Sequence, residues 1–357
     1  MLTYTNPVYK GYFADPFVWQ HLGVYYAIGT GAAEAAGTVD EISERVFPLL
    51  RSFDFVNWHY VGNALPRPDP ALGNNFWAPE VAYSDGKFYL YYSVGHEDKN
   101  HQLRVAQSDS PLGPYEDIGE PLTDLNNCPF AIDPHPFRDD DGQWYLFYAR
   151  DFLDTEGGVR AGTAIAVDRL ENMTKLAGVE TVVLRSRCDW QRFLANRLMY
   201  GEFYDWHTLE GPCVRKHQGR YYCFYSGGCW ETENYGVDYG VADSVMGLYS
   251  DAGNETGPRV LRSLPGYVKG PGHNSIVFAP DGQTEYIAYH AWTADARQMC
   301  LDKIVWTTEG PRCQGPSWTP QTVDIDQMPC GVEAPGFMSG ECQKSYQKIE
   351  NLRETKS

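Results

Sequence analysis

The sequence lacks the features that define several other classes of protein. Its 357 residues contain no apolar run of about 18 residues, so no membrane-spanning helix is expected. Lys and Arg number 29 against 47 Asp and Glu, which gives a formal net charge of −18. Because nucleic acids and anionic membranes need a basic face, this charge argues against either as the main partner.

The cysteine pattern also argues against disulfide bonds and zinc sites. The chain has nine Cys, an odd number, and no CxxC pair, so neither a disulfide framework nor a zinc cluster is predicted. We expect free thiols in a reducing compartment. The first residues, MLTYTNPVYKGYF, show neither a basic region nor an apolar one, so no signal peptide is visible. The expected location is the cytoplasm, or the outside of the cell if a leader has been removed.

What the sequence does contain is a repeated unit. Five segments each read as a short apolar strand, a polar turn with Gly, and a strand of alternating aromatic residues. The turn glycines are Gly23, Gly86, Gly142, Gly219 and Gly282. They lie about 65 residues apart on average, which leaves room for four strands per unit. Gly supplies the positive φ that such hairpin turns require.

This repeat predicts an all-β fold, a five-bladed β-propeller with four-stranded blades in a single domain. The domain is expected to cover residues 1–330, followed by a polar C-terminal tail at 331–357. Residues 32–46 are expected to hold a turn or two of helix in a loop. The innermost strand of each blade would line a central channel, and the five starts of these strands would meet at one mouth. Those starts are Asp15, Trp77–Glu80, Asp133, Glu210 and His273.

Short motifs at these starts resemble glycoside hydrolase family 43. They are ADPFV (14–18), WAPEV (77–81), IDPHPF (132–137), LEGP (209–212) and PGHNS (271–275), with Ser52, Asp54 and Trp58 in between. The likeness runs from about Asn6 to about Gln321. It implies a five-bladed propeller that cleaves glycosides of plant-wall pentoses with inversion. Matched residue by residue, it implies that Asp15 is the general base, Asp133 the residue that adjusts the pKa of the acid, and Glu210 the general acid.

Elementary chemistry agrees with that assignment. Inverting cleavage needs one protonated carboxyl to give a proton to the leaving oxygen and one carboxylate to take a proton from water. Glu210 would need a raised pKa, which burial and a nearby anion produce, and Asp133 is the proposed anion. Asp15 would need to stay ionised. A local alternative for Asp15 and Asp133 is that each merely starts a turn before Pro.

Four further residues are predicted to bind substrate. Trp77 is a candidate sugar platform, because an indole suits the C–H face of a sugar, and Ile132 stands beside Asp133 in its motif. Arg297 is expected to reach a substrate hydroxyl or the Asp133 carboxylate. By the resemblance, His273 would help to hold a central calcium ion through water, an optional site that the chemistry itself does not require. An equally weighted alternative has His273 hydrogen-bonded to a catalytic carboxylate or to water.

The carboxylates do not fix the substrate. Pentose-containing oligosaccharides or polysaccharides are expected, among them arabinan, arabinoxylan and xylo-oligosaccharides. Many β-xylosidases of the family carry a further β-sandwich domain for which this chain has no room, so terminal α-L-arabinofuranosyl residues are favoured. A β-xylosidase and an endo-arabinanase remain alternatives. A sugar-binding propeller without activity and a scaffold for protein partners are rivals from other classes.

Overall fold

Strands follow one another along almost the whole chain. The computed structural model describes residues 1–32, 45–293 and 295–324. Three single-turn 3₁₀ helices, Pro70–Leu72, Glu156–Gly158 and Asp189–Gln191, interrupt the strands. In the described ranges, no helix is long and apolar enough to cross a bilayer. The helical turn predicted at 32–46 falls mostly outside these ranges, and the tail predicted at 331–357 falls wholly outside them.

Three of the sheets are antiparallel and have four strands. Sheet 1 holds β2 (Ala14–His21), β3 (Val24–Thr30), β4 (Arg45–Ser52) and β5 (His59–Pro66). Sheet 2 holds β6 (Asn75–Ser84), β7 (Lys87–His96), β8 (Lys99–Ser108) and β9 (Glu116–Asp117). Sheet 5 holds β20 (Lys269–Phe278), β21 (Glu285–Trp292), β22 (Arg297–Thr307) and β23 (Gly310–Cys313).

The other sheets depart from four strands. Sheet 3 has seven, namely β10 (Ala131–Arg138), β11 (Trp144–Phe152), β12 (Gly162–Asn172), β13 (Lys175–Leu176), β14 (Thr181–Leu184), β15 (Arg192–Met199) and β16 (Glu202–His207). Sheet 4 has three, β17 (Leu209–His217), β18 (Arg220–Gly227) and β19 (Gly236–Ala242). The terminal strands β1 (Leu2–Tyr4) and β24 (Gln321–Val323) pair with each other. The prediction of uniformly four-stranded blades is therefore wrong for sheets 3 and 4.

The first strands of the five larger sheets contact one another in a ring. Strand β2 contacts β6 and β20, β6 contacts β10, β10 contacts β17, and β17 contacts β20. The sheets are thus arranged as in a propeller, and the all-β prediction is confirmed. Because the sheets differ in strand number, the count of five blades stays a prediction.

The predicted glycine turns join the first and second strands of these sheets. All five glycines have φ between 65° and 87°, in the left-handed region that side chains with a Cβ rarely adopt. Between the sheets, aromatic rings fill the space: Tyr25 of sheet 1 packs on Phe55, which packs edge-on against Tyr286 of sheet 5. Fully burying one such ring stabilises the fold by about 2 kcal/mol.

Each first strand also carries a bulge near its start, and the bulges position the candidate site. The strand register shifts at the same place in all five pairs of first and second strands. One residue with positive φ lies at each shift: Asp15, Ala78, Asp133, Gly211 and His273. A bulge re-aims side chains at the edge of a ladder. Three predicted site residues, Asp15, Asp133 and His273, therefore lie at β-bulges that orient their side chains. Glu210 directly precedes the bulge in sheet 4.

Candidate active site

Asp15 lies at the bulge of β2, buried among polar groups from other strands. Thr30 Oγ1 donates to Asp15 Oδ2 at 2.7 Å. Three nitrogen atoms surround the other oxygen, Oδ1: His290 Nδ1 at 3.3 Å, His273 Nδ1 at 3.4 Å and Arg297 Nη1 at 3.6 Å. Burial alone would raise the pKa of Asp15, but His273, Arg297 and His290 together outweigh it and lower that pKa. Asp15 is therefore held ionised.

His290 orients the backbone of Asp15. The Asp15 N–H lies 3.1 Å from His290 Nδ1, so this ring nitrogen approaches both the backbone and the carboxylate of Asp15. Burial lowers the pKa of His290 to about 4, which keeps the ring neutral. The ring stacks on Tyr235 with centroids 5.9 Å apart.

Glu210 stands in a different environment. The Tyr235 hydroxyl donates to Glu210 Oε1 at 2.6 Å. Burial raises the pKa of Glu210 to about 7; Tyr235 lowers it and the nearby Asp15 charge raises it further. Near neutral pH, Glu210 is thus a carboxyl that can carry a proton, whereas Asp15 cannot.

Asp133 lies between these two carboxyls. Its Oδ2 accepts from the Gly211 N–H at 2.8 Å and lies 3.8 Å from His273 Nδ1. Burial first, and then the charges of Glu210 and Asp15, raise the pKa of Asp133 well above its usual range. The sequence predicted a simple anion here. Because two neighbouring like charges cannot both ionise easily, the ionisation of Asp133 is coupled to that of Glu210.

Side chains on the second strands tie neighbouring sheets together at the bulges. Each accepts the bulge N–H of the next first strand: Thr30 from Ala78 at 2.9 Å, Ser226 from His273 at 2.7 Å, and His290 from Asp15 at 3.1 Å. Sheet 3 has Ala149 at the equivalent position, opposite Ile132. There the Asp133 carboxylate accepts the next bulge N–H, that of Gly211. Asp133 therefore supports the ring as well as the site.

The predicted binding residues are placed as follows. Trp77 is half-buried and stacks on His101 at 4.0 Å between ring centroids. Ile132 is buried in the apolar cluster against which Trp77 packs. Trp77 and Ile132 precede their bulges just as Glu210 does, so the three occupy equivalent positions. Their roles in sugar binding stay predictions.

Arg297 reaches Asp15, and not Asp133 as one of its predicted alternatives had it. Its Nη1 lies 3.6 Å from Asp15 Oδ1, and its Nη2 donates to the Tyr12 hydroxyl at 2.7 Å. The guanidinium also lies 4.4 Å from the centre of the Trp230 ring. The physical reason is position: Arg297 begins β22, beside β21 and the first sheet, where the N-terminal segment passes.

A central calcium ion held by His273 through water stays a prediction. Among residues 1–32, 45–293 and 295–324, no three His, Cys, Asp or Glu side chains are grouped to ligate one ion. His273 Nδ1 faces the oxygen atoms of Asp15 and Asp133, and burial lowers the pKa of His273. A calcium ion would have to be held mainly by water and backbone oxygens, so no step of the chemistry is assigned to it.

Sequence reasoning missed Thr30, Tyr235 and His290. Thr30 and His290 lie on second strands, opposite Ala14 and Gly272, so the repeat itself would have located them. Tyr235 comes from the segment between β18 and β19, where nothing in the local pattern indicates a partner for Glu210.

Comparisons with known proteins agree with this site. The family model "Glycosyl hydrolases family 43" matches residues 4–311. "Beta-D-galactofuranosidase xynD" of Aspergillus niger is 31% identical over 85% of this chain and 83% of that protein. "Extracellular exo-alpha-(1->5)-L-arabinofuranosidase" of Streptomyces chartreusis is 27% identical over 81% of this chain and 82% of that protein.

A solved structure is similar over nearly its full length. The structure of "a thermostable family-43 glycoside hydrolase" aligns with a TM-score of 0.74 at 30% identity and covers 89% of this chain and 98% of that one. The family match spans far more than half of the sequence, and the buried carboxyls lie where the family motifs stand. The chain therefore belongs to glycosyl hydrolases family 43 and is a glycosidase.

Proposed function

We propose that this glycosidase removes terminal α-L-arabinofuranosyl residues from plant cell-wall oligosaccharides and polysaccharides with inversion at the anomeric carbon. The observation that carries the proposal is the contrast between two carboxyls: three nitrogen atoms surround Asp15 Oδ1, whereas Glu210 accepts a hydrogen bond from the Tyr235 hydroxyl. The pKa of Asp15 is lowered by its nitrogen-rich surroundings, and that of Glu210 is raised by burial. Carboxyls whose environments separate their pKa values in this way identify the base and the acid of such a reaction.

In the proposed mechanism, Asp15 accepts a proton from a water molecule as the water oxygen bonds to the anomeric carbon. The bond from that carbon to the leaving oxygen breaks, and Glu210 gives its proton to this oxygen. In this mechanism Asp133 and Glu210 share one proton near neutral pH, and Asp133 is the ionised member of the pair while Glu210 holds that proton. Arg297 and His273 keep Asp15 ionised and hold its carboxylate in one orientation.

The proposal of attack at chain ends rests on the hairpin formed by β15 and β16, which is fixed to the sheets on both sides of it. Arg197 on β15 forms an ion pair of 2.7 Å with Asp98, in the turn between β7 and β8 of sheet 2. From the other side, the Asn234 side chain donates to the backbone oxygen atoms of Trp190 and Arg192. We propose that this fixed hairpin limits the space for a substrate chain beside the carboxyls, which favours exo action over endo action.

A second substrate has its own support. The Aspergillus niger relative at 31% identity is named a β-D-galactofuranosidase, and the Streptomyces chartreusis relative at 27% an arabinofuranosidase. The two sugars share the stereochemistry of the furanose ring, and the galactofuranoside is longer by one hydroxymethyl group. Terminal β-D-galactofuranosyl residues are therefore the second candidate.

We also propose that the propeller has five blades. Five sheets carry the same bulge, and their first strands close a ring of contacts. On this count the three-stranded sheet 4 is a blade without a regular outer strand. An experimental structure that gave a different number of radial sheets would contradict it.

The substrate assignment is tested by hydrolysis of p-nitrophenyl α-L-arabinofuranoside, β-D-galactofuranoside and β-D-xyloside, with linear arabinan alongside. The arabinofuranoside is expected to give the highest kcat/KM, and arabinan to release only single arabinose units. Proton NMR of the first product should show the inverted anomer. Preference for the galactofuranoside would support the second candidate. Release of oligosaccharides, or a retained anomer, would contradict exo action or inversion respectively.

The pH dependence follows from the shared proton of Asp133 and Glu210. Burial raises the pKa of Glu210 to about 7, so Glu210 loses its proton above that pH and kcat/KM is expected to fall as pH rises through that region. Tyr235→Phe removes a hydrogen bond that lowers the pKa of Glu210 but keeps the ring that stacks on His290. Its alkaline limb should move up by about half a pH unit to one unit. An unmoved or lowered limb would refute the role given to the Tyr235 hydroxyl.

A further inference from the structure

A second buried carboxylate and a buried imidazole lie along the ring of first strands, apart from the groups used so far. Glu80 on β6 and His135 on β10 are 5% and 7% exposed. Glu80 Oε2 lies 2.7 Å from His135 Nδ1, and His135 Nε2 accepts from the Val214 N–H on β17 at 3.0 Å. The two side chains therefore join the first strands of sheets 2, 3 and 4.

The hydrogen bonds fix the tautomer of this imidazole. Because Nε2 accepts from a backbone N–H, it carries no proton, so the ring proton lies on Nδ1 and is donated to Glu80. A second ring proton would face the Val214 N–H and break that bond. Burial raises the pKa of Glu80, and the contact with His135 opposes that rise.

This pair lies directly behind the reacting carboxyls. His135 follows Asp133 by two residues on β10, and Val214 follows Glu210 by four on β17. The charge of Glu80 is among the causes that raise the pKa of Asp133. The other titratable groups facing Glu80 and Asp133 are the Cys213 thiol, His273, Glu210 and Asp15.

We propose that Glu80 and His135 form a positioning pair that sets the spacing and the proton affinity of Asp133 and Glu210. This inference rests on the proposed function and adds to it. His135 fixes β17, which carries Glu210, relative to β10, which carries Asp133. The anionic Glu80, buried in the same interior, makes it harder for Asp133 and Glu210 to lose their shared proton. The pair touches neither water nor sugar in the reaction and acts only through the two carboxyls.

The test is the pH profile of kcat/KM for Glu80→Gln. The amide oxygen of glutamine can still accept a hydrogen bond from the His135 Nδ1–H. The contact between β6 and β10 is therefore kept, and only the negative charge is lost. The acidic and alkaline limbs of the kcat/KM profile are both expected to move to lower pH, the alkaline limb by about one pH unit. Glu80→Asp restores the charge but shortens the side chain. The Glu80→Asp variant should keep both limbs of the pH profile near the wild-type position while kcat falls. A Glu80→Gln profile that overlays that of the wild type would overturn the proposal.

A matched control is Glu285→Gln, in a carboxyl that accepts from Arg215 Nε at 2.9 Å between sheets 4 and 5. Its pH limbs should stay in place even if the variant is less stable. A limb shift equal to that of Glu80→Gln would mean a general loss of packing and would also overturn the proposal.

The tautomer gives a measurement that does not depend on turnover. Nitrogen-15 NMR of the wild-type imidazole rings should find His135 protonated on Nδ1 alone across neutral pH. A proton on Nε2 would overturn the pair whatever the activity. Absence of any hydrolysis by the wild type, with the expected tautomer present, would count against the proposed function and leave the pair standing.

Discussion

Glu210→Gln is expected to lower kcat/KM on arabino-oligosaccharides by about 10²- to 10⁴-fold, the range that a general acid contributes. Glutamine has nearly the same shape and can still accept from the Tyr235 hydroxyl, so the fold should be unchanged. On a dinitrophenyl arabinofuranoside, whose leaving group needs no proton, the loss should be below about tenfold. The fall in activity above neutral pH should disappear from the remaining profile, because the proton that causes it is gone.

The matched control for this variant is Glu180→Gln. Glu180 accepts from Arg150 Nη1 at 2.6 Å in sheet 3, away from the three carboxyls. Its kcat/KM on both substrates should stay within about twofold of the wild type. Equal losses of Glu210→Gln on the two substrates would contradict a proton donor at this position, since only the natural leaving group requires one.

The repeat explains how much of the site was predictable. Turn glycines recurring about every 65 residues located the five first strands, and with them Asp15, Asp133, Glu210 and His273. The structure brings Asp15, Asp133 and His273 into direct contact and places Glu210 close enough for its charge to raise the pKa of Asp133. These positions were accessible from sequence because a hairpin turn with Gly is a local signal.

The strand count and the partners of the carboxyls were not accessible in the same way. The β15–β16 hairpin turns at Tyr200–Gly201, with no Asp-Gly signal, and it lengthens sheet 3 without disturbing the repeat. His290 is 275 residues from Asp15, and the contact arises only because the last sheet lies beside the first. Glu80 and His135 stood inside quoted motifs, but their pairing depends on the packing of neighbouring first strands, which spacing along the chain does not encode.

The direction of the pKa shift of Asp133 required the structure. From sequence, Asp133 was predicted to be an anion that raises the pKa of the acid Glu210. Burial of both, together with their mutual repulsion, makes them a coupled pair instead. The pKa of Asp15 is lowered instead, because two imidazoles and a guanidinium surround its carboxylate. This difference in pKa separates the base from the acid.

Asp15→Ala should abolish hydrolysis of both oligosaccharides and activated aryl arabinofuranosides, with a loss of at least about 10³-fold on each. The reason is that a water molecule must lose a proton to attack, however good the leaving group is. Azide needs no deprotonation and fits the space that the carboxylate leaves. Added azide should therefore restore turnover of the dinitrophenyl arabinofuranoside and give the glycosyl azide of inverted configuration.

A matched control is Asp168→Asn, in a buried carboxylate that accepts from the Gly178 and Val179 N–H groups in sheet 3. It should lose stability but keep kcat, and azide should have no effect on it. If Asp15→Ala instead retained activity on the aryl substrate, Asp15 would be a binding residue and the base would have to be sought at Asp133. A product azide of retained configuration would contradict direct attack by water, because it would require a covalent intermediate on the opposite face of the sugar.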